Sequence, residues 1–149
     1  MPSLRNDLEV HIREALISDA QRICALAVQL RYQVPVAHVE RFLAGRSADR
    51  ELFVAIVPRV GVVGWIGVCV RATLTSAPFG EVEGLVVDQE YRGANIGLGL
   101  LQRAEAWSRA RECITVRLRS NVIRERAHGF YVRNGYEVVK TQHLFEKRL

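Results

Sequence analysis

The stretch from Gly84 to Leu101 constrains this chain more than any other. Leu85-Val86-Val87 is an apolar run that reads as a buried strand, and Asp88 to Tyr91 is a polar turn. Arg92-Gly93-Ala94-Asn95-Ile96-Gly97-Leu98 is a small-residue loop with an arginine at its mouth. It runs directly into a helical pattern that places Ile96, Leu100, Leu101, Ala104 and Trp107 along one side. Strand, small-residue loop and helix N-terminus, in that order, make an anion site. The first N–H groups of a helix have no partner within it, and the helix dipole adds partial positive charge there. Small residues let a phosphate approach the backbone closely.

The flanking sequence supplies a sheet and helices for this unit. Leu8 to Arg13 alternates as a half-buried strand. Ser18-Asp19 offers an N-cap to a helix carrying Ile23, Leu26, Ala27 and Leu30, broken at Val34-Pro35. A second helix runs from Val36 to Ala44 and stops at Gly45. Leu52–Val57 and Val62–Leu74 read as an antiparallel hairpin about the turn Pro58-Arg59-Val60-Gly61. Gly64 and Gly67, inside the second strand, point to a bulge or a close backbone approach. Ser76 to Gly80 reads as a loop, and a strand from Glu81 leads into the opening stretch. Beyond the central helix, expected from Asn95 to Arg111, Ile114–Arg119 alternates as a strand. A helix from Arg124 to Arg133 ends at Asn134-Gly135, and Tyr136–Val139 and His143–Glu146 are expected as closing strands.

The expected fold is therefore α+β: a mixed, mostly antiparallel twisted sheet of six or seven strands with four helices on both faces. Residues 8–149 are expected to form one domain behind a flexible terminus of residues 1–7. No apolar run approaches the roughly 20 residues that span a bilayer, and no secretory signal is legible, so the cytoplasm is the expected location. The net charge is +5, almost wholly from arginine. The arginines are scattered, without the basic, aromatic-interleaved strip of a nucleic-acid surface, so neither nucleic acid nor membrane is an expected partner. Cys24, Cys69 and Cys113 lie far apart in apolar surroundings and read as buried thiols; no metal-ligand spacing occurs.

Two motifs carry a resemblance to the GCN5-related N-acetyltransferases, the GNAT superfamily. Arg92-Gly93-Ala94-Asn95-Ile96-Gly97 resembles its acetyl-CoA motif, with Asn95 in place of the first motif glycine. Asparagine is the non-glycine residue that best tolerates left-handed backbone. Asn121 followed by Ala127-His128-Gly129-Phe130-Tyr131 and Gly135-Tyr136 is similar to the second signature. The aminoalkylphosphonate acetyltransferases resemble the chain in Asn95 and in the terminal Phe145-Glu146-Lys147-Arg148-Leu149. Some aminoglycoside 6'-acetyltransferases resemble it in Glu83-Gly84-Leu85-Val86-Val87.

The resemblance implies transfer of acetyl from acetyl-CoA to a primary amine of a small molecule by direct attack. Protein or peptide acceptors and a non-catalytic acyl-CoA-binding module are the alternatives. The loop Arg92 to Leu98 is expected to hold the pyrophosphate, and the edge of Leu85-Val86-Val87 to pair with the pantetheine amides. Asn121 would bind the pantetheine arm or cap a strand end. Glu81 and Glu83, two apart on one strand, would share a face; either would serve as base, or one or both would be merely solvated or act as counter-ions to the amine. Tyr131 would protonate the leaving thiolate, since a phenol of pKa about 10 is near an alkyl thiol. His128 reads as a helix-packing residue, and Arg117 and Arg119 share a face that is either solvated or meets an acidic substrate. Acceptor choice is expected to fall to Ser18–Gly45 and the Thr75–Gly80 loop. A homodimer is the assembly the resemblance allows.

Overall fold

The computed structural model describes residues 7–149, so most of the expected flexible terminus lies outside the described residues. They fall into two compact units, one ending at Arg119 and one running from Ser120 to Leu149.

The first unit is a five-stranded sheet in the order β1 (His11–Glu14), β2 (Arg50–Val57), β3 (Gly61–Thr73), β4 (Ser76–Val87), β5 (Val116–Leu118). The first four strands are joined antiparallel, each to the next. Strand β5 lies parallel to β4, because the helix α3 (Ile96–Arg109) carries the chain back across the sheet between them. The expected helices α1 (Ala20–Ala27) and α2 (Val36–Ala44) are present. Alternation along the strands sorts the core into two faces. Leu52, Val54, Trp65 and Val86 pack with Ile23, Leu26, Val39 and Leu43 of α1 and α2, and the Trp65 indole N–H donates to the Ile23 carbonyl at 3.2 Å. Phe53 and Ile66 alternate to the opposite face, where α3 buries Ile96, Leu100, Leu101 and Ala104.

The interior glycines of β3 do what their placement suggests. A Cβ on Gly64 would stand 2.9 Å from the Val86 carbonyl oxygen, so the neighbouring backbone occupies that space. The ladder to β2 slips between Ala55 and Ile56, leaving Val63 as an extra residue; its carbonyl accepts from the Asp88 N–H at 2.7 Å. The ladder to β4 slips beside Gly67, where Glu83 is the extra residue between Val82 and Gly84.

Three sequence expectations are corrected. Ser76–Gly80 is not a loop: Thr73 pairs with Ser76 about a two-residue turn, and the segment is the first half of β4. Asp19 does not cap α1. Its carboxylate reaches back to the Leu16 N–H at 2.7 Å and to Arg13, and a 3-10 turn, Ile17–Asp19, precedes the helix. The sheet also has fewer strands than the six or seven expected, because 136–139 and 143–146 form no ladder. Their alternation meets the side-chain requirement of a strand, but pairing needs a backbone partner as well, and Val138, Val139, Leu144 and Phe145 stand exposed.

The second unit holds α4 (Glu125–Arg133), which stops at Asn134-Gly135 as expected. Gly135 takes a φ of 89°, and the Asn134 side-chain amide donates to the Phe130 carbonyl at 2.8 Å.

Candidate active site

The loop between β4 and α3 is built for exposed backbone donors. A 3-10 turn, Gln89–Tyr91, leaves the strand, with the Asp88 carboxylate accepting from the Glu90 N–H at 3.1 Å. Arg22 of α1 donates to the same carboxylate at 2.6 Å and to the Val62 carbonyl at 2.8 Å, so the start of the loop is fixed to both helix and sheet. Gly93 has a φ of 84° and Asn95 a φ of 59°. Asn95 therefore adopts the left-handed geometry the sequence asks of it. The N–H of Gly99 donates to the Asn95 carbonyl at 3.0 Å. The amides of Ile96, Gly97 and Leu98 precede that bond and fall within the first helical turn, where amides lack intrahelical partners. Arg92 donates from Nε to the Val87 carbonyl at 3.4 Å. On the other edge, β5 pairs with β4 only over Gly80–Val82 among the described residues, so the edge of Leu85, Val86 and Val87 runs on beyond that ladder.

Glu81 and Glu83 stand on this same strand. Glu81 is 6% exposed. Its two oxygens are taken by two guanidiniums, Arg71 at 2.9 Å and Arg119. The Glu83 side chain is 34% exposed and pairs with one guanidinium, Arg50, at 2.9 Å. The Cys69 thiol is its neighbour. Burial, reinforced by both carboxylates, pushes that thiol up to about 11. All three cysteines are free and buried. The regular alternation that would place the two carboxylates on one face is broken at Glu83. The bulge turns Glu83 beside Gly67 all the same, at a Cβ-to-Cβ separation of 3.8 Å were Gly67 to carry a side chain.

Arg117 and Arg119 part company. Arg117 lies over the Phe79 ring at 3.9 Å, while Arg119 serves Glu81. Arg50, Arg71 and Cys69 are neighbours of the two carboxylates that sequence reasoning did not bring to them. The signal was the turn at Leu74-Thr75: once it is recognised as a hairpin, the register sets Arg71 opposite Phe79 and Cys69 opposite Glu81.

In the second unit, Tyr131 packs edge-on against Phe130 and Tyr136, with ring centroids 5.3 and 5.9 Å away. Burial raises its phenol pKa against a smaller opposing pull from Arg124. The Asn121 side-chain oxygen accepts from the Ile123 N–H at 3.2 Å. Its carbonyl meets the His128 ring at 2.9 Å, so His128 braces the entry turn of α4.

The family model described as Acetyltransferase (GNAT) family matches residues 17–136, most of the chain. The chain belongs to the GNAT acetyltransferase family. The aminoalkylphosphonate N-acetyltransferase of Salmonella typhimurium is similar to this acetyltransferase at 31% identity over 129 residues, 85% of this chain and 84% of that one. Among solved structures, the aminoglycoside antibiotic 6'-N-acetyltransferase of Acinetobacter baumannii aligns with a TM-score of 0.82 at 20% identity, over 95% of this chain and 99% of that one. AAC(6')-Iy, solved with a CoA bisubstrate analogue, aligns with a TM-score of 0.83 at 16% identity, over 95% and 99%. These two share the fold. No helix among the described residues is long and apolar enough to cross a membrane.

Proposed function

We propose that this acetyltransferase moves an acetyl group from acetyl-CoA to the primary amine of a small molecule by direct attack. The observation that carries the reading is the occupancy of β4: helix-start amides follow one end of it and a half-exposed carboxylate, Glu83, stands at its bulge. A relative at 31% identity that is named for a small-molecule acceptor supports the choice of acceptor over a protein.

The amides of Ile96, Gly97 and Leu98, with Gly93 and Ala94 leaving the backbone open, are suited to the pyrophosphate, and Arg92 adds charge. The Leu85-Val86-Val87 edge is suited to the pantetheine amides, and Asn121 keeps its side-chain NH2 for the same arm. When bound, acetyl-CoA supplies the acetyl group as a thioester. Glu83 takes a proton from the acceptor ammonium, freeing the nitrogen lone pair. The N–C bond forms as the C–S bond breaks, and Tyr131 gives its proton to the departing sulfur. Of the two protons the ammonium loses, one ends on the CoA thiol and one goes to solvent. Glu83 suits the base better than Glu81, whose two oxygens are both held by arginines. A raised phenol pKa keeps Tyr131 protonated at neutral pH, as a general acid requires.

Thiol release from acetyl-CoA, followed with a chromogenic disulfide across a panel of free amines and peptides, tests the reading. Release with small primary amines is expected. Release with peptides alone would move the acceptor to proteins, and tight acetyl-CoA binding without release on any of them would make the chain a non-catalytic binding module.

A further inference from the structure

A buried carboxylate stands at the entrance to a loop suited to an anion. Asp88 is 8% exposed and precedes Arg92 by one short turn. Its polar groups are all engaged. The N–H donates to the Val63 carbonyl at 2.7 Å, and the carbonyl accepts from the Tyr91 N–H at 2.8 Å. The carboxylate accepts from the Glu90 N–H and from Arg22. One residue thus ties the end of β4 to the bulge of β3, winds the turn that opens the loop, and meets α1.

The helix side answers with two residues. Arg22 of α1 donates to an Asp88 oxygen at 2.6 Å and to the Val62 carbonyl at 2.8 Å. Gln29 lies in the 3-10 turn Val28–Leu30 that continues α1, and its side-chain oxygen accepts from the Gln89 N–H at 3.1 Å. Gln29 is also among the neighbours that hold the Asp88 carboxyl below its ordinary value. Both Gln29 and Gln89 are exposed, so water would satisfy this N–H nearly as well. What the Gln29 bond adds is therefore position more than stability.

The loop has an anchor at each end. Its far end is held by α3, through buried Ile96, Leu100 and Leu101. Its near end is held at Asp88 and Gln89. Between them Gly93 and Asn95 take left-handed backbone, so the placing of the near end sets where the amides of Arg92, Gly93 and Ala94 point. Hydrogen bonds weaken steeply as their angle closes, so a small shift there is felt by a bound anion. Charge acts in the same direction. A carboxylate beside an anion site repels the anion, and Arg22 offsets that charge.

We propose that Arg22 and Gln29 are positioning residues for the cofactor: from α1 and the turn after it they hold Asp88 and Gln89 so that the loop Arg92 to Leu98 presents its amides to the pyrophosphate. The proposal rests on the cofactor-loop reading above.

The test separates the pyrophosphate from the rest of the cofactor. Acetyl-CoA and S-acetylpantetheine, which keeps the thioester arm and lacks the pyrophosphate, are titrated into the full chain by calorimetry, the weaker ligand by competition. The unaltered protein is expected to bind acetyl-CoA at least about a hundredfold more tightly. Arg22→Gln is expected to cut that ratio at least about tenfold, and Gln29→Ala at least about threefold. Gln29 is exposed, so its variant decides the matter even if Arg22→Gln fails to fold. A merely structural fault, or a lost contact with the acceptor, weakens both ligands alike or neither, and leaves the ratio where it was. A ratio that a folded variant leaves within about twofold overturns the role of that residue while the loop keeps its cofactor. Equal affinity of the unaltered protein for the two ligands overturns the pyrophosphate reading of the loop, and the positioning role with it.

Discussion

Glu83 owes its position to one extra residue. The slip beside Gly67 turns its carboxylate toward Arg50 and Cys69, while Glu81, in register with Cys69, is closed in by two arginines. The sequence showed that two carboxylates stood together on a strand. It did not show which was open, because that depends on cross-strand partners such as Arg71 that only the ladder brings near. Tyr131 was legible from its motif, and its surroundings bear on the acid role proposed for it. Tyr131→Phe removes the proton donor while keeping the ring that Phe130 and Tyr136 pack against. Turnover is expected to fall about 10²–10³-fold, within the range for lost acid–base assistance, with the acetyl-CoA Kd unchanged; steady-state rates and calorimetry check it. Unaltered turnover would remove the tyrosine from the mechanism.

Among the elements, β4 bears the most. It pairs with β3 along its length, meets β5 over three residues, and leads into the loop with Asn95. Its packing against α3 is close at Gly80, where an added Cβ would lie 2.8 Å from Ser108 Cβ and closer still to the hydroxyl. Rotating the serine cannot relieve the first of these contacts. Gly80→Ala is therefore expected to destabilise the protein by about 1–3 kcal/mol through overpacking, read as a lower urea midpoint at unchanged slope. An equal midpoint would mean that α3 yields. The strand–loop–helix unit was legible because each part has its own signal: an apolar run, small residues, a helical period. The first half of β4 was not, since Ser76-Ala77-Pro78-Phe79-Gly80 is composed like a turn and becomes a strand only through pairing with β3. The reverse error arose at 136–139 and 143–146, where alternation was present and pairing was not.

At the scale of the whole molecule, two buried carboxylates tie helices to the sheet. Burial by itself would raise the pKa of Asp19, but Arg13 and the Leu16 N–H outweigh it and hold the carboxyl below its ordinary value. Burial opposes Asp88 in the same way, and the Glu90 N–H, Arg22 and Gln29 overcome it. A depressed folded pKa contributes stability that is complete above the unfolded value of about 3.9 and drains away as pH falls through the folded one. The urea midpoint is thus expected to show no change from these groups between about pH 5 and 7 and to drop below about pH 4. Asp88→Asn is expected to start lower and fall less steeply in acid; a parallel acid limb would mean that the Asp88 pairing contributes nothing.

The end of α4 has a chemical consequence of its own. Asn-Gly is the pair most prone to spontaneous ageing, in which the glycine nitrogen attacks the asparagine amide carbon and expels ammonia, and water then opens the resulting cyclic imide to aspartate or its isomer. Here the Asn134 amide is held by the Phe130 carbonyl at 2.8 Å, and the Gly135 N–H by the Val132 carbonyl at 3.2 Å. Nucleophile and target are each turned toward the helix they terminate. The helix stop therefore doubles as a chemical safety catch, and mass-spectrometric detection of acid at position 134 in stored protein would record how often the end of α4 comes undone.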